Sequence, residues 1–183
     1  SPTRFFRETV GHGDGANAGF LRPGAILAFV LVTDEDDCSA RDPALFDVAS
    51  PTYDAPANLR CWAHEEAALH PVERYADGWL ALRRDPGRLV FATIAGVPAD
   101  LSGADADAIL GDPRMAPRVD PETPERLAPS CTDPERGAAE PPRRLVRTGD
   151  AIAERGGRAV HVSICQDDFG PAIAAVLGEI AAA

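Results

Sequence analysis

Lysine does not occur in this sequence: all 18 basic residues are arginine. That excludes a phosphate loop built around a lysine, a Schiff-base lysine and any mechanism that needs an ammonium group. Cations are also the minority, 18 against 29 acids, for a formal net charge of -11. A nucleic-acid surface needs clustered cations, and so does electrostatic docking on anionic lipid; neither finds support here. No apolar segment reaches the 18 or so residues that a membrane-spanning helix requires. No Gly-x-Ser-x-Gly elbow exists, so a serine hydrolase has no basis. There is no internal repeat. The 4 cysteines, Cys38, Cys61, Cys131 and Cys165, form no Cys-x-x-Cys pair, so the usual structural zinc pattern is missing. Their even number and wide spacing fit two disulfides in an oxidising compartment. Cys38 and Cys61 flank one connection, Cys131 and Cys165 another. Pairing 38–61 and 131–165 is therefore expected among the three possible connectivities. The chain starts at Ser1, with neither Met nor a signal sequence. The expectation is an exported protein, secreted, periplasmic or held at the surface as a lipoprotein, from which a signal was removed or of which this is a part.

What is present suits one domain. The 183 residues are 45% hydrophobic, enough for a real core. Residues 1–24 read as an irregular lead-in, with Gly11, Gly13, Gly15 and Gly19 between polar residues. Gly11-His-Gly-Asp-Gly15 is no complete phosphate loop and no helical pattern follows it. The run Ala25-Ile-Leu-Ala-Phe-Val-Leu-Val32 is uninterrupted and reads as a strand buried on both faces. Residues 39–69, with Pro43, Pro51 and Pro56, read as a long connection. Pro71 opens a helix whose Val72, Tyr75, Ala76, Trp79 and Leu80 form one apolar stripe, ended by Asp85-Pro86-Gly87. A second buried strand, Leu89-Val-Phe-Ala-Thr-Ile-Ala95, closes at Gly96. Residues 97–142 hold nine of the 17 prolines and many acids. They read as an excursion outside the sheet, short of apolar residues and the most protease-sensitive part of the chain. A helix from about 142 carries Leu145, Gly149, Ile152 and Ala153 on one face and stops at Gly156-Gly157. The third strand is Ala159-Val-His-Val-Ser-Ile164, and a last helix from Pro171 buries Ile173, Val176, Leu177 and Ile180. Alternating strands and helices predict an α/β fold: a parallel sheet in three αβα layers with right-handed connections. Ligands of open α/β sheets bind beyond the carboxyl ends of the strands.

One of those ends stands out. Asp34, Glu35, Asp36 and Asp37 directly follow the first strand and precede Cys38. Hard divalent cations take such oxygen ligands; a solvated, charged turn with Asp as a helix cap is the plainer use of them. Other constellations carry less. His64-Glu65-Glu66 and His70 lack the i, i+4 pair of zinc proteases and read as surface polar residues. His161, between Val160 and Val162, reads as a satisfied structural histidine, and Trp62 and Trp79 as packing residues.

Phe29-Val-Leu-Val-Thr-Asp34 resembles the fourth strand of a von Willebrand factor A-like domain, which ends in hydrophobic-Thr-Asp. The fuller stretch Asn17-Ala-Gly-Phe-Leu-Arg-Pro23, followed by Val32-Thr-Asp-Glu-Asp-Asp-Cys-Ser39, resembles exported bacterial members. Pro129-Ser-Cys131 and Ser163-Ile-Cys165 fit the same likeness. The resemblance runs from about Asn17 to the end and covers the C-terminal half of such a domain: one partial domain over 1–183, apparently truncated at its N-terminus. It implies a doubly wound, Rossmann-like sheet with a metal-ion-dependent adhesion site at its top. It further implies Mg²⁺ or Ca²⁺ as the ion, Asp34 as a ligand, Asp36 and Asp37 as support or as a second cation's ligands, and a protein or other macromolecular partner rather than a substrate. The family's Asp-x-Ser-x-Ser loop is absent, and Glu35 stands where Gly often follows the aspartate. Weak metal binding and an exposed, self-associating sheet edge are then expected of this chain. Asp34-Glu-Asp36 also resembles the Asp-x-Asp of haloacid-dehalogenase-like phosphatases, with Asp34 as nucleophile and Asp36 as general acid. Cys38 departs from that motif. Such enzymes balance the phosphate charge with a lysine, or sometimes an arginine, and lysine is missing. A third reading is a degenerate site in a von Willebrand factor A-like domain that is purely structural.

Overall fold

The computed structural model describes residues 19–183. The Gly11–Gly15 stretch and Asn17 of the lead-in lie outside the described residues. Where description begins, Gly19 and Gly24 sit at φ 86° and 76°, a left-handed backbone that glycine adopts without a steric penalty.

Strand β1 (Leu27–Val32) leads into a connection holding short helices α1 (Arg60–Ala63) and α2 (Glu65–Ala68). Helix α3 (Glu73–Leu80) and strand β2 (Leu89–Ala95) follow. The 97–142 stretch contributes α4 (Ala106–Gly111) and a small antiparallel hairpin, β3 (Cys131–Asp133) and β4 (Gly137–Ala139). Helix α5 (Arg143–Ala153), strand β5 (Arg158–Ser163) and helix α6 (Gly170–Ala182) complete the chain. The three long strands form one parallel sheet in the order β1-β2-β5. Leu27, Leu89 and Phe91 pack against Ala76 of α3 and Ile152 of α5, with Phe29 stacked on Trp79 at 4.2 Å. On the opposite face Ile94 and Val162 pack against Ala172 of α6. The result is a helix-sheet-helix arrangement, an α/β fold as the alternating pattern predicted.

Four expectations are corrected. The strand buried on both faces is β2, every residue of which is buried, not β1. Among the described residues β1 is an edge strand: its inward row packs under α3, while Val30 and Val32 remain 45% and 64% exposed. On α6, Ala172 and Val176 face the core, whereas Ile173 and Leu177 are 51% and 58% exposed. On α5 the buried set is Arg144, Val146, Thr148, Gly149 and Ile152, and Ala153 is exposed. Lastly, the 97–142 stretch lies outside the parallel sheet but is not poor in buried surface. Val97, Ile109 and Met115 are fully buried against Val146 of α5. The prolines open short turns there rather than preventing a core; Pro113 begins a 3₁₀ turn capped by Asp112.

The 39–69 connection has a small core of its own, Leu45, Tyr53, Ala68 and Leu69. Buried Arg60 holds it by donating to the carbonyls of Leu45, Asp47, Val48 and Ala55. Cys38–Cys61 ties its start to α1, with Cα atoms 5.5 Å apart, and Cys131–Cys165 ties the hairpin to the end of β5 at 6.0 Å. Both pairs are those expected from the sequence. No helix among the described residues is long and apolar enough to cross a membrane. His161 is buried and its Nδ1 lies 2.8 Å from Thr93 Oγ1, but its buried Nε2 has no hydrogen-bond partner among the described residues, so the histidine is only half satisfied, not fully as expected.

Candidate functional site at the carboxyl edge of the sheet

The hairpin stitches across the carboxyl ends of all three strands. Glu140 N donates to the Asp34 carbonyl at 2.8 Å, at the end of β1. Ser130 Oγ donates to the Gly96 carbonyl, at the end of β2. The Cys131–Cys165 disulfide does the same beyond β5. Gly96 is required for this closure, because a Cβ there would collide with the Glu140 carbonyl. Between the hairpin, the acidic loop and α1–α2 lies an open cleft of about 1140 Å³, lined among others by Asp34, Glu35, Trp62, Glu140, Arg143 and Arg147. It occupies the position where open α/β sheets bind ligands.

The four acids of the loop divide into two pairs. Asp36 turns inward and accepts from the backbone N–H groups of Arg144 at 2.9 Å and Leu145 at 3.2 Å, the first turn of α5, and from Asp37 N at 2.8 Å. It satisfies donors that an α-helix leaves orphaned at its start and places negative charge at the positive end of the helix dipole. Burial raises its pKa to about 6, against the opposing pull of those N–H donors. Asp37 receives Nε and Nη2 of Arg144 on one oxygen, at 3.1 and 3.0 Å, and Ser39 Oγ on the other. Arg144, only 4% exposed, also reaches Glu65 Oε1 at 3.1 Å and the His70 carbonyl at 2.5 Å. Desolvation pulls its pKa down, and Asp37 and Glu65 outweigh that and raise it. Arg147 bonds the same Glu65 oxygen at 2.5 Å. The carboxylate oxygens of Asp36 and Asp37 are thus directed at protein donors.

Asp34 and Glu35 differ. Both are exposed on the cleft, and Thr33 Oγ1 accepts from Glu35 N at 3.0 Å to shape the turn. The Asp34 carboxylate makes no hydrogen bond or ion pair among the described residues. Glu140 faces them. Burial first, and the Glu35 charge second, raise the Glu140 pKa to about 7.

Sequence reasoning singled out the acidic loop but missed Arg144 and Glu140. A signal for Arg144 was present. Pro141-Pro142-Arg143-Arg144 places two cations at a helix start, where the dipole disfavours them unless acids answer. Glu140 had no local signal, since its role depends on the hairpin folding back onto β1. His64 and His70 do not meet at a common centre: His64 packs edge-on to Tyr53, and His70 contacts Arg74. Among the described residues, no group of three or more His, Cys, Asp or Glu side chains is arranged to hold a metal ion. Asp34 offers one carboxylate to the cleft, and Mg²⁺ or Ca²⁺ takes six or more oxygens. No family model, curated protein or solved structure matches the chain.

Proposed function

We propose that this chain is a non-catalytic binding domain of von Willebrand factor A type. In this reading it meets a protein or other macromolecular partner across the carboxyl-edge cleft, in an exported protein, with Asp34 as the carboxylate offered to a bridging divalent cation. The observation that carries the reading is the order β1-β2-β5 with Asp34 at the end of β1. In a doubly wound sheet of order 3-2-1-4-5-6, the fourth, fifth and sixth strands lie side by side in that sequence, all parallel. The Thr33-Asp34 pair then falls at the end of the fourth strand, where the resembled family keeps its hydrophobic-Thr-Asp. The two disulfides fit an oxidising compartment.

A cation at Asp34 needs oxygens beyond this cleft, so its affinity for the chain alone is low. Calorimetric titration with Mg²⁺ and Ca²⁺ tests the reading: weak binding, lost in Asp34→Ala, is expected. Binding that survives Asp34→Ala would remove Asp34 from the site. The phosphatase reading is less favoured on geometry. Asp36 spends both carboxylate oxygens on the start of α5 and so presents no acid to a leaving group in the cleft.

A further inference from the structure

Most described arginines are answered by acids or carbonyls. Arg114 meets Asp100 and Asp112, Arg144 meets Asp37 and Glu65, and Arg158 meets Glu179. The amino end of the sheet, opposite the cleft, is different. Gly24 precedes β1 there and Arg88 directly precedes β2, and the two strands run parallel. Arg22, Arg83, Arg84 and Arg88 line one open pocket of about 560 Å³, and Asp85 is the single acid among its lining residues. Four guanidinium groups thus stand against one carboxylate, in a chain whose net charge is -11.

Asp85 does not neutralise them. One of its oxygens accepts from Gly87 N at 3.1 Å, and the other lies 3.7 Å from Arg88 Nε. Arg88 Nη1 also donates to the Gly24 carbonyl, which ties the two walls of the pocket together. Arg22 and Arg84 are exposed, and their side chains make no hydrogen bond or ion pair among the described residues. Arg83 is the least satisfied. Its Nη1 donates to the Leu82 carbonyl at 2.8 Å, but its Nε is buried without a partner. Desolvation pulls its pKa down, with no carboxylate to offset that. A buried cationic donor left unmet costs free energy, and an anion beside it recovers part of that cost. The helix dipole explains only half of the cluster. Arg83 and Arg84 follow the C-terminus of α3, where cations are favoured, whereas Arg22 and Arg88 come from the turns before β1 and β2.

The chemistry of the lining selects the ligand. Guanidinium forks bind phosphate and carboxylate oxygens in pairs, and an excess of cations this large suits a dianion better than a monoanion. Leu21, Pro23 and Leu82 stand among the arginines and offer contact to an apolar group. We propose that this pocket binds a phosphate monoester carried on a small apolar group, with Arg22, Arg83 and Arg84 at the phosphate oxygens and Leu21 and Leu82 against the apolar part. The field of the whole chain opposes an approaching anion, so the affinity is modest. The proposal does not rest on the cleft or its cation.

Calorimetric titration of the full chain with phenyl phosphate tests it, at about pH 8, well above the second ionisation of a phosphate monoester near ~6. The expected result is saturable binding at millimolar concentration or below, tighter than that of inorganic phosphate and unchanged in Asp34→Ala. Arg22→Gln and Arg84→Gln should each weaken it about tenfold or more. Both side chains are exposed and unbonded, so neither change disturbs the core; an unaltered thermal midpoint verifies that. Vesicles of phosphatidic acid in phosphatidylcholine distinguish a lipid headgroup from a soluble ligand. A soluble ligand is expected, so the chain should not sediment with them. Absence of saturable binding at millimolar phenyl phosphate overturns the proposal, as does binding indifferent to both arginine substitutions or no tighter than that of inorganic phosphate. Sedimentation with the vesicles overturns the soluble ligand.

Discussion

Replacing Arg144 by methionine tests whether the buried guanidinium organises the carboxyl edge. The arginine side chain is 5% exposed and bonds Asp37, Glu65 and the His70 carbonyl at once. Methionine keeps its length and apolar stem but leaves Asp37, at 22% exposure, without its cation, while Glu65 keeps Arg147. Breaking a buried pair by removing one partner costs about 3–5 kcal/mol. Because Glu65 remains paired and Asp37 retains some water, the lower end applies, about 3 kcal/mol. For a chain of this size that lowers the thermal midpoint by roughly 6–12 °C. Urea unfolding followed by circular dichroism measures it through the midpoint at constant slope. The double variant Arg144→Met with Asp37→Asn should recover a good part of the loss, since the orphaned charge is gone. A loss under about 1 kcal/mol in the single variant, or no recovery in the double, would refute the reasoning.

Glu140→Gln should raise stability at pH 8 and flatten its pH dependence. The Glu140 pKa is raised to about 7 in the folded state, so its contribution is fully present below the ordinary value of 4.5 and lost as pH rises through 7. Screening at this half-buried site reduces the effect to about 1–2 kcal/mol, and urea melts at pH 5 and pH 8 check it; parallel pH curves for the two proteins would contradict it. Gly149→Ala should cost about 2 kcal/mol or more, because the new Cβ would stand 2.5 Å from the His161 ring. His161→Ala in the same chain should relieve much of that, as thermal melts would show. Reducing the disulfides opens loops of 23 and 34 residues and should cost about 3–4 kcal/mol each. Unreduced peptide maps should recover Cys38 with Cys61 and Cys131 with Cys165; four free thiols would end that account.

Much of the sheet was legible because its signals are local. The runs ending at Val32, Ala95 and Ile164 are continuous and apolar, and Pro71 and Pro171 mark helix starts. Layer and neighbour are not local properties. β1 and β2 look alike as strings, and only the pairing makes one an edge and the other a centre. Composition misjudged 97–142, where proline and acid outnumber apolar residues but Val97, Ile109 and Met115 still meet over α5. At the cleft, the charge run at 34–37 marked the right loop. Which carboxylates support the fold and which face solvent is decided by the start of α5, more than 100 residues away.

Backbone amide NMR during titration with Ca²⁺ or Mg²⁺ tests the central claim most directly. Shift changes gathered at Thr33, Asp34, Glu35 and Glu140, saturating only at high cation concentration and absent in Asp34→Ala, are what the account predicts. Changes that centre on Asp36 and Asp37, or that persist unchanged in Asp34→Ala, would contradict it.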